Sequence, residues 1–419
     1  MNGPVEMGLH KTNCSSSQQS VAPPGRAGIL AALFVTGFAT FVNLYATQPL
    51  LPRFRELFQA SELKVSLTVS APILAVALAA PFLGILADTV GRKRVIVASM
   101  LGLALPTALA ATASNLDQLI AWRFLQGLFT PGIIAVAMAY ISEETPRQLA
   151  GSTMSIYVTG GVVGGFCGRF ASGLIAAQWD WRASMVTLGA ATFAGGLLTW
   201  WILPRSTKFV PHDNAAASVA SVAAHLHNAQ LLATYAVGFN VLFCLAGVFT
   251  YVNFYLADAP FALGPGALAT IFAVYLIGAV VTPFSGRLLD RIGSRRVLLG
   301  ACLMASAGAL LTLIQSVAVV IAGLALAAAG AFVSQSGASI YVGKVAGQAR
   351  SSAAGLYVAL YYLGGCAGSV VPGLFWKEAG WPGCVGLTIF MQAIIALIVS
   401  RVWADKASPV LQAAINPRS

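Results

Sequence analysis

Twelve apolar runs, each long enough to cross a bilayer, constrain this chain more than any other feature. They are 27–50, 65–87, 95–113, 117–140, 152–176, 183–203, 229–257, 266–288, 297–315, 318–341, 352–375 and 383–403. A span needs roughly 20 apolar residues. In lipid every backbone N–H and C=O must be paired within its own segment, so runs this long and uniform read as helices. Barrel strands would be shorter and would alternate. Composition agrees: 9% of residues are charged, against about 25% in a soluble chain. The expected fold is an all-α membrane protein with 12 transmembrane helices.

The segment 204–228 is the longest polar interruption, with Arg205, Lys208, His212, Asp213, His225 and His227. It divides the chain into six spans at 27–203 and six at 229–403, between a polar tail (1–26) read as disordered and a tail at 404–419. The net charge of +11 does not indicate nucleic acid, because the basic residues stand singly or in short clusters between apolar runs. With the N-terminus inside, 17 Lys and Arg fall on the inner side and five on the outer: Arg53, Arg55, Lys64, Arg182 and Lys377. That split places both termini and the 204–228 loop in the cytoplasm. The N-terminal segment lacks the short apolar core of a signal peptide. Cys14, Cys167, Cys244, Cys302, Cys366 and Cys384 show no disulfide or zinc spacing and read as packing residues, with no metal expected.

The two halves repeat. Gly84-x-x-x-Asp88-x-x-Gly91-Arg92-Lys93-Arg94 follows span 2, and Gly286-x-x-x-Asp290-x-x-Gly293-x-Arg295-Arg296 follows span 8. Val42, Asn43 and Tyr45 in span 1 answer Val252, Asn253 and Tyr255 in span 7. Tyr157, Gly164, Gly165 and Gly168 in span 5 answer Tyr357, Gly364, Gly365 and Gly368 in span 11. The offsets are 202 for the turns, 210 for spans 1 and 7, and 200 for spans 5 and 11. About eight extra residues therefore lie between spans 1 and 2. The expectation is two pseudo-symmetric six-helix bundles about an axis along the membrane normal, with a site between them at mid-depth.

With these residues the chain resembles the major facilitator superfamily over 27–403. The charged turn resembles the family's signature between its second and third helices. Thr89 stands where a basic residue is usual, and Arg291 keeps it in the second copy. Leu119-x-x-x-Arg123-x-x-Gln126-Gly127 resembles the motif of the proton-driven antiporter branches. Gly160-Gly161-Val162-Val163-Gly164-Gly165 resembles the exporters' Gly-Pro-x-x-Gly-Gly, with Gly161 in place of the proline. The resemblance implies alternating access, with Gly84, Asp88, Gly91, Arg92, Arg94, Gly286, Asp290, Gly293 and Arg296 forming a cytoplasmic latch. Asp88 would pair with Arg92 or Arg94, or accept from a helix N-terminus; the alternative is a plain topogenic basic loop. It also implies that Arg123 takes part in proton coupling or binding; the alternative is an arginine that snorkels to the outer interface.

Arg123 lies about 9 Å inside span 4 at 1.5 Å per residue, and Arg169 lies at similar depth in span 5. An arginine in a span is unfavourable by about 2.5–3.5 kcal/mol, so each needs a partner. Asp117, Asp180 and Asp258 lie at outer ends, and Glu143 and Glu144 are cytoplasmic. Either the substrate supplies the missing anion, or Asp117 or Asp180 folds inward, or backbone carbonyls and water satisfy the guanidinium groups. Span 1 offers Asn43, Tyr45, Thr47 and Gln48, none of which titrates near neutral pH. A proton site would then be a rim carboxylate such as Asp117, or the substrate.

Other residues that could line a central cavity are Gln126, Tyr157, Asn240, Asn253, Tyr255, Gln335, Tyr357, Tyr361 and Tyr362. Each also fits helix–helix hydrogen bonding or an interfacial belt. Gly160, Gly161, Gly164, Gly165, Gly364, Gly365 and Gly368 fit helix packing, as a close contact of spans 5 and 11 or a related pair. No enzyme is expected: the four histidines lie outside the spans, and no phosphate-cradling Gly-x-x-x-x-Gly-Lys loop appears.

The combined expectation is a monomeric secondary transporter in a bacterial-type inner membrane. It would export a small organic compound in exchange for protons, without cofactor or nucleic acid. The rivals are an importer or facilitator of an organic anion or sugar, and a non-transporting receptor or scaffold.

Overall fold

The computed structural model describes residues 26–204, 206, 227–345 and 350–403, apart from the side chains at 81, 84, 85, 88, 147, 148, 290 and 350–352. The expectations for both tails and nearly all of the central loop lie outside the described residues. Within them, twelve helices are long and apolar enough to cross a membrane. The five described cysteines form no disulfide.

Span 1 is not the single helix its apolar run suggests. Helix Arg26–Leu44 stops, a 3-10 turn covers Gln48–Leu50, and a short helix Leu51–Phe58 follows. Pro49 and Pro52 explain the break: their rings would meet the carbonyls of Tyr45 and Gln48 in a continuous helix. The extra residues of the first half are thus taken up mostly as helix. Spans 2 to 6 are Glu62–Val90, Arg92–Leu109, Leu116–Glu144, Arg147–Gln178 and Trp181–Ile202. Ser61 and Asn115 accept from Lys64 N and Gln118 N, and so cap spans 2 and 4.

The second half begins with Ala229–Ala257, capped by Asn228. Span 8 is again broken: Pro265–Ile271, a 3-10 stretch Phe272–Leu276, then Ile277–Ile292. That stretch contains no glycine or proline, so tertiary contact rather than local sequence sets it. Spans 9 to 11 are Ser294–Leu311, Val317–Val345 and Arg350–Val370. The last helix runs Pro372–Val402 with a kink at Gly380 (φ 59°), which separates an outer segment from span 12. The repeated turns are alike in backbone. Gly91 and Gly293 end spans 2 and 8 at φ 101° and 89°, a region open essentially only to glycine.

Within each half the tightest pairs are spans 1 with 5, 2 with 4, 7 with 11, and 9 with 10. Between halves, span 2 packs on span 11, and span 5 packs on the start of span 8. Of the two alternatives for the glycines of spans 5 and 11, the contacts found are those of related pairs. A Cβ at Gly160, Gly164 or Gly168 would collide with the carbonyls of Phe34, Phe38 and Val42 in span 1. One at Gly364 or Gly368 would meet those of Phe239 and Phe243 in span 7. Small residues let backbones approach in lipid, and here the rows join spans 1–5 and 7–11. Gly161 instead faces the Phe41 ring, and Gly365 faces Leu242 and Ile73.

Candidate functional site

The site is built on the break in span 1. The last carbonyls of a helix lack intrahelical donors, and Arg123 supplies them. Its Nη2 donates to Leu44 O at 2.5 Å, Nη1 to Asn43 O at 2.9 Å and to Gln126 Oε1 at 2.5 Å, and Nε to Thr68 O at 2.9 Å. The side chain is 1% exposed, so it does not snorkel. The negative end of the span 1 helix dipole supplies counter-charge where no carboxylate among the described residues does. Neither rim carboxylate turns inward. Asp117 pairs with Lys64 Nζ at 2.9 Å, and Asp180 accepts from Trp181 N at 2.7 Å.

Arg169 is equally buried but differently held. Nε donates to Gln48 Oε1 and Nη1 to Gly165 O, both at 2.6 Å. The guanidinium thus folds back over its own helix. Its central carbon lies 4.5 Å from the ring centroid of Tyr45, 5.0 Å from Phe272 and 4.3 Å from Tyr275. Rings at these distances attract a cation through their quadrupoles. Arg169, Tyr45 and Gln48 come from the first half, and Phe272 and Tyr275 from the 3-10 stretch of the second. Gln48 Nε2 also reaches across to Thr250 Oγ1 at 3.4 Å. Arg169 is therefore the centre of a site shared by both halves.

A tyrosine cluster adjoins it. Tyr357 donates to Gln335 Oε1 at 2.9 Å; its ring stacks on Tyr361, which meets Tyr362 edge-on at 5.5 Å. The buried hydroxyl of Tyr157 has no partner among the described residues. The amides do other work. Asn43 Nδ2 donates to Ala39 O and to Thr192 Oγ1 in span 6. Asn253 Nδ2 donates to Phe249 O of its own helix, and Asn240 Nδ2 to Gln392 Oε1 in span 12. Tyr255 in span 7 stacks on Trp381 at 5.4 Å and meets Phe261 at 5.1 Å. Phe272, Tyr275 and Thr250 were not among the sequence candidates. Tyr275 could have been found by carrying the search for tyrosines into span 8.

The two ends of the molecule differ. At the end away from the charged turns, Arg55 Nη2 meets Asp258 Oδ1 at 2.5 Å and Nη1 meets Asp258 Oδ2 at 3.0 Å, while Nη1 also reaches Glu62 Oε1 at 3.2 Å. This pair joins the two halves. Tyr251 and Ser66 bond across them at 3.4 Å, and Gly173 presses on Pro265 and Ala269. At the charged-turn end, no described residue stands within 4 Å of where a Cβ would sit at Gly151, Gly286, Gly343 or Gly355. The cross-half bonds of Gln48, Arg55 and Tyr251 thus lie at or towards the end away from the charged turns. Arg92 pairs with Glu143 of its own half at 2.8 Å. Gly84 and the side chains of Asp88 and Asp290 lie outside the described residues.

The Arg55 pair is half-exposed, so it contributes about 1 kcal/mol. Arg55→Ala should therefore raise the population open at this end about fivefold. Distances between spin labels at Gln59 and Ala262 report it, and the exchange Arg55→Asp with Asp258→Arg should reverse it. An unchanged distance distribution would remove this pair from the gate.

A guanidinium-and-ring site held between two bundles of membrane-spanning helices is the arrangement of a membrane transport protein. The chain belongs to the Major Facilitator Superfamily, whose family model matches residues 33–281 and 259–417. It is similar to the inner membrane transport protein YnfM of Escherichia coli K12, 36% identical over 374 residues covering 88% of this chain and 89% of that protein. It is 30% identical over 282 residues to the multidrug resistance protein MdtG of Salmonella typhi, covering 64% of this chain and 67% of that one. Its fold matches a bacterial homologue of the human lysosomal transporter Spinster in an inward-facing, occupied conformation. That match has a TM-score of 0.74 at 15% identity and covers 90% of this chain and 97% of that one.

Proposed function

We propose that this protein is a monomeric secondary transporter that works by alternating access and exports a small organic compound in exchange for protons. It would sit in a bacterial-type inner membrane with both termini in the cytoplasm and use no bound cofactor. The observation that carries this reading is the Arg169 site shared by both halves, the kind of midplane site between repeats that alternating access works around. Likeness to MdtG and the Arg123–Gln126 arrangement in span 4 support export. Among the described residues no carboxylate touches Arg123 or Arg169. Coupling would therefore run through a rim carboxylate or through a proton on the substrate.

A second reading, uptake or facilitated passage of an organic anion, is favoured by Arg169 itself. Accumulation of anionic and cationic compounds in cells with and without the protein, and with and without a protonophore, separates the two. Lower accumulation that the protonophore reverses is expected for proton-driven export. Higher accumulation would overturn the direction proposed here.

A further inference from the structure

The two buried arginines differ in what they leave unused. A guanidinium carries five N–H donors. Arg123 meets four oxygen acceptors, so it is close to saturated. Arg169 meets two, and its remaining N–H groups have no acceptor among the described residues. The surrounding groups add more donors. The hydroxyls of Tyr45 and Tyr275 bond to no described residue. Tyr157, whose buried hydroxyl is likewise unpartnered, lies within electrostatic reach of Tyr362, which in turn reaches Tyr45.

The site is thus rich in donors, positive, and walled by rings from both halves. A cationic ligand would face the guanidinium at close range with no carboxylate to offset it. A planar carboxylate matches the guanidinium fork, and an aromatic body matches the ring walls.

Resting on the transport reading above, we infer that the substrate is an organic anion: its carboxylate is held by Arg169, and its aromatic or apolar body lies against Tyr45, Phe272 and Tyr275. Binding there joins the halves through the ligand, because the guanidinium belongs to span 5 and two of the three rings to span 8.

The test is ligand-induced thermal stabilisation of the purified full chain in nanodiscs, with no ion gradient. The probes are benzoate, acetate, benzamide and benzylammonium. Benzoate should raise the melting temperature, acetate should do so less, and benzamide and benzylammonium should not. Arg169→Gln should weaken benzoate at least ~10-fold, and Arg169→Lys should retain part of its binding. If Arg169→Gln does not fold, Phe272→Leu replaces it: benzoate should weaken while acetate does not. No shift with benzoate, or an equal shift with benzamide, overturns the inference.

The two readings fail separately. Protonophore-sensitive export of cations without benzoate binding defeats the anion inference alone. Benzoate binding without gradient-driven movement of any compound defeats the transport reading alone.

Discussion

Arg123→Ala is expected to lower the stability of the folded protein by about 1–3 kcal/mol for each buried oxygen it leaves without a donor, and to abolish transport. The substitution removes four hydrogen bonds from a single break in span 1 and leaves the carbonyls of Asn43 and Leu44 at the helix end without these donors. Membrane insertion should persist, since alanine enters a span more readily than arginine. Arg123→Lys keeps the charge, but its compact ammonium does not reach four acceptors spread over spans 1, 2 and 4. It should recover only part of the loss. Thermal unfolding followed by intrinsic fluorescence, together with cellular accumulation, checks both. A parent-like melting temperature with lost proton-driven transport would show that Arg123 couples and does not clasp.

Valine at Gly164 or Gly168 in span 5, or at Gly364 or Gly368 in span 11, should be nearly as damaging. The neighbouring atom in each case is a backbone carbonyl of span 1 or span 7, and a carbonyl cannot swing aside as a side chain does. The helices would have to separate, at more than the ~1–3 kcal/mol typical of overpacking. Gly151→Ala and Gly355→Ala are the controls, because open space surrounds both positions; they should be neutral or stabilising by up to about 1 kcal/mol. Expression and thermal unfolding of the set decide it. Equal behaviour of the two groups would remove the glycine rows as packing elements.

How much was legible in the sequence depended on whether a signal was local. Span count, the two-half layout and the paired turns come from hydropathy and repetition, and they reappear as twelve helices with matching glycines at Gly91 and Gly293. The glycine rows were visible, but their partners were not, because partner choice is set by how helices cross. Arg123 stood out as a charge in lipid. Its counter-charge is a helix end, and three of its four acceptors are main-chain oxygens, which carry no residue-specific mark. Arg169 stood out likewise, while Phe272 and Tyr275 looked like ordinary members of an apolar run. They face it because span 8 departs from the α-helix there, and nothing in its local sequence announces that departure.

That departure has a mechanical side. A 3-10 helix rises about 2.0 Å per residue and an α-helix 1.5 Å. Over the five residues Phe272–Leu276, the difference amounts to about 2.5 Å of stored length. It also changes the turn per residue from 100° to 120°, which alters where successive side chains point. Span 8 therefore behaves as a strut with one extensible joint. Winding that joint into α form would shorten the strut and rotate the two rings off the guanidinium together, so a small local change of pitch would register at both ends of the membrane.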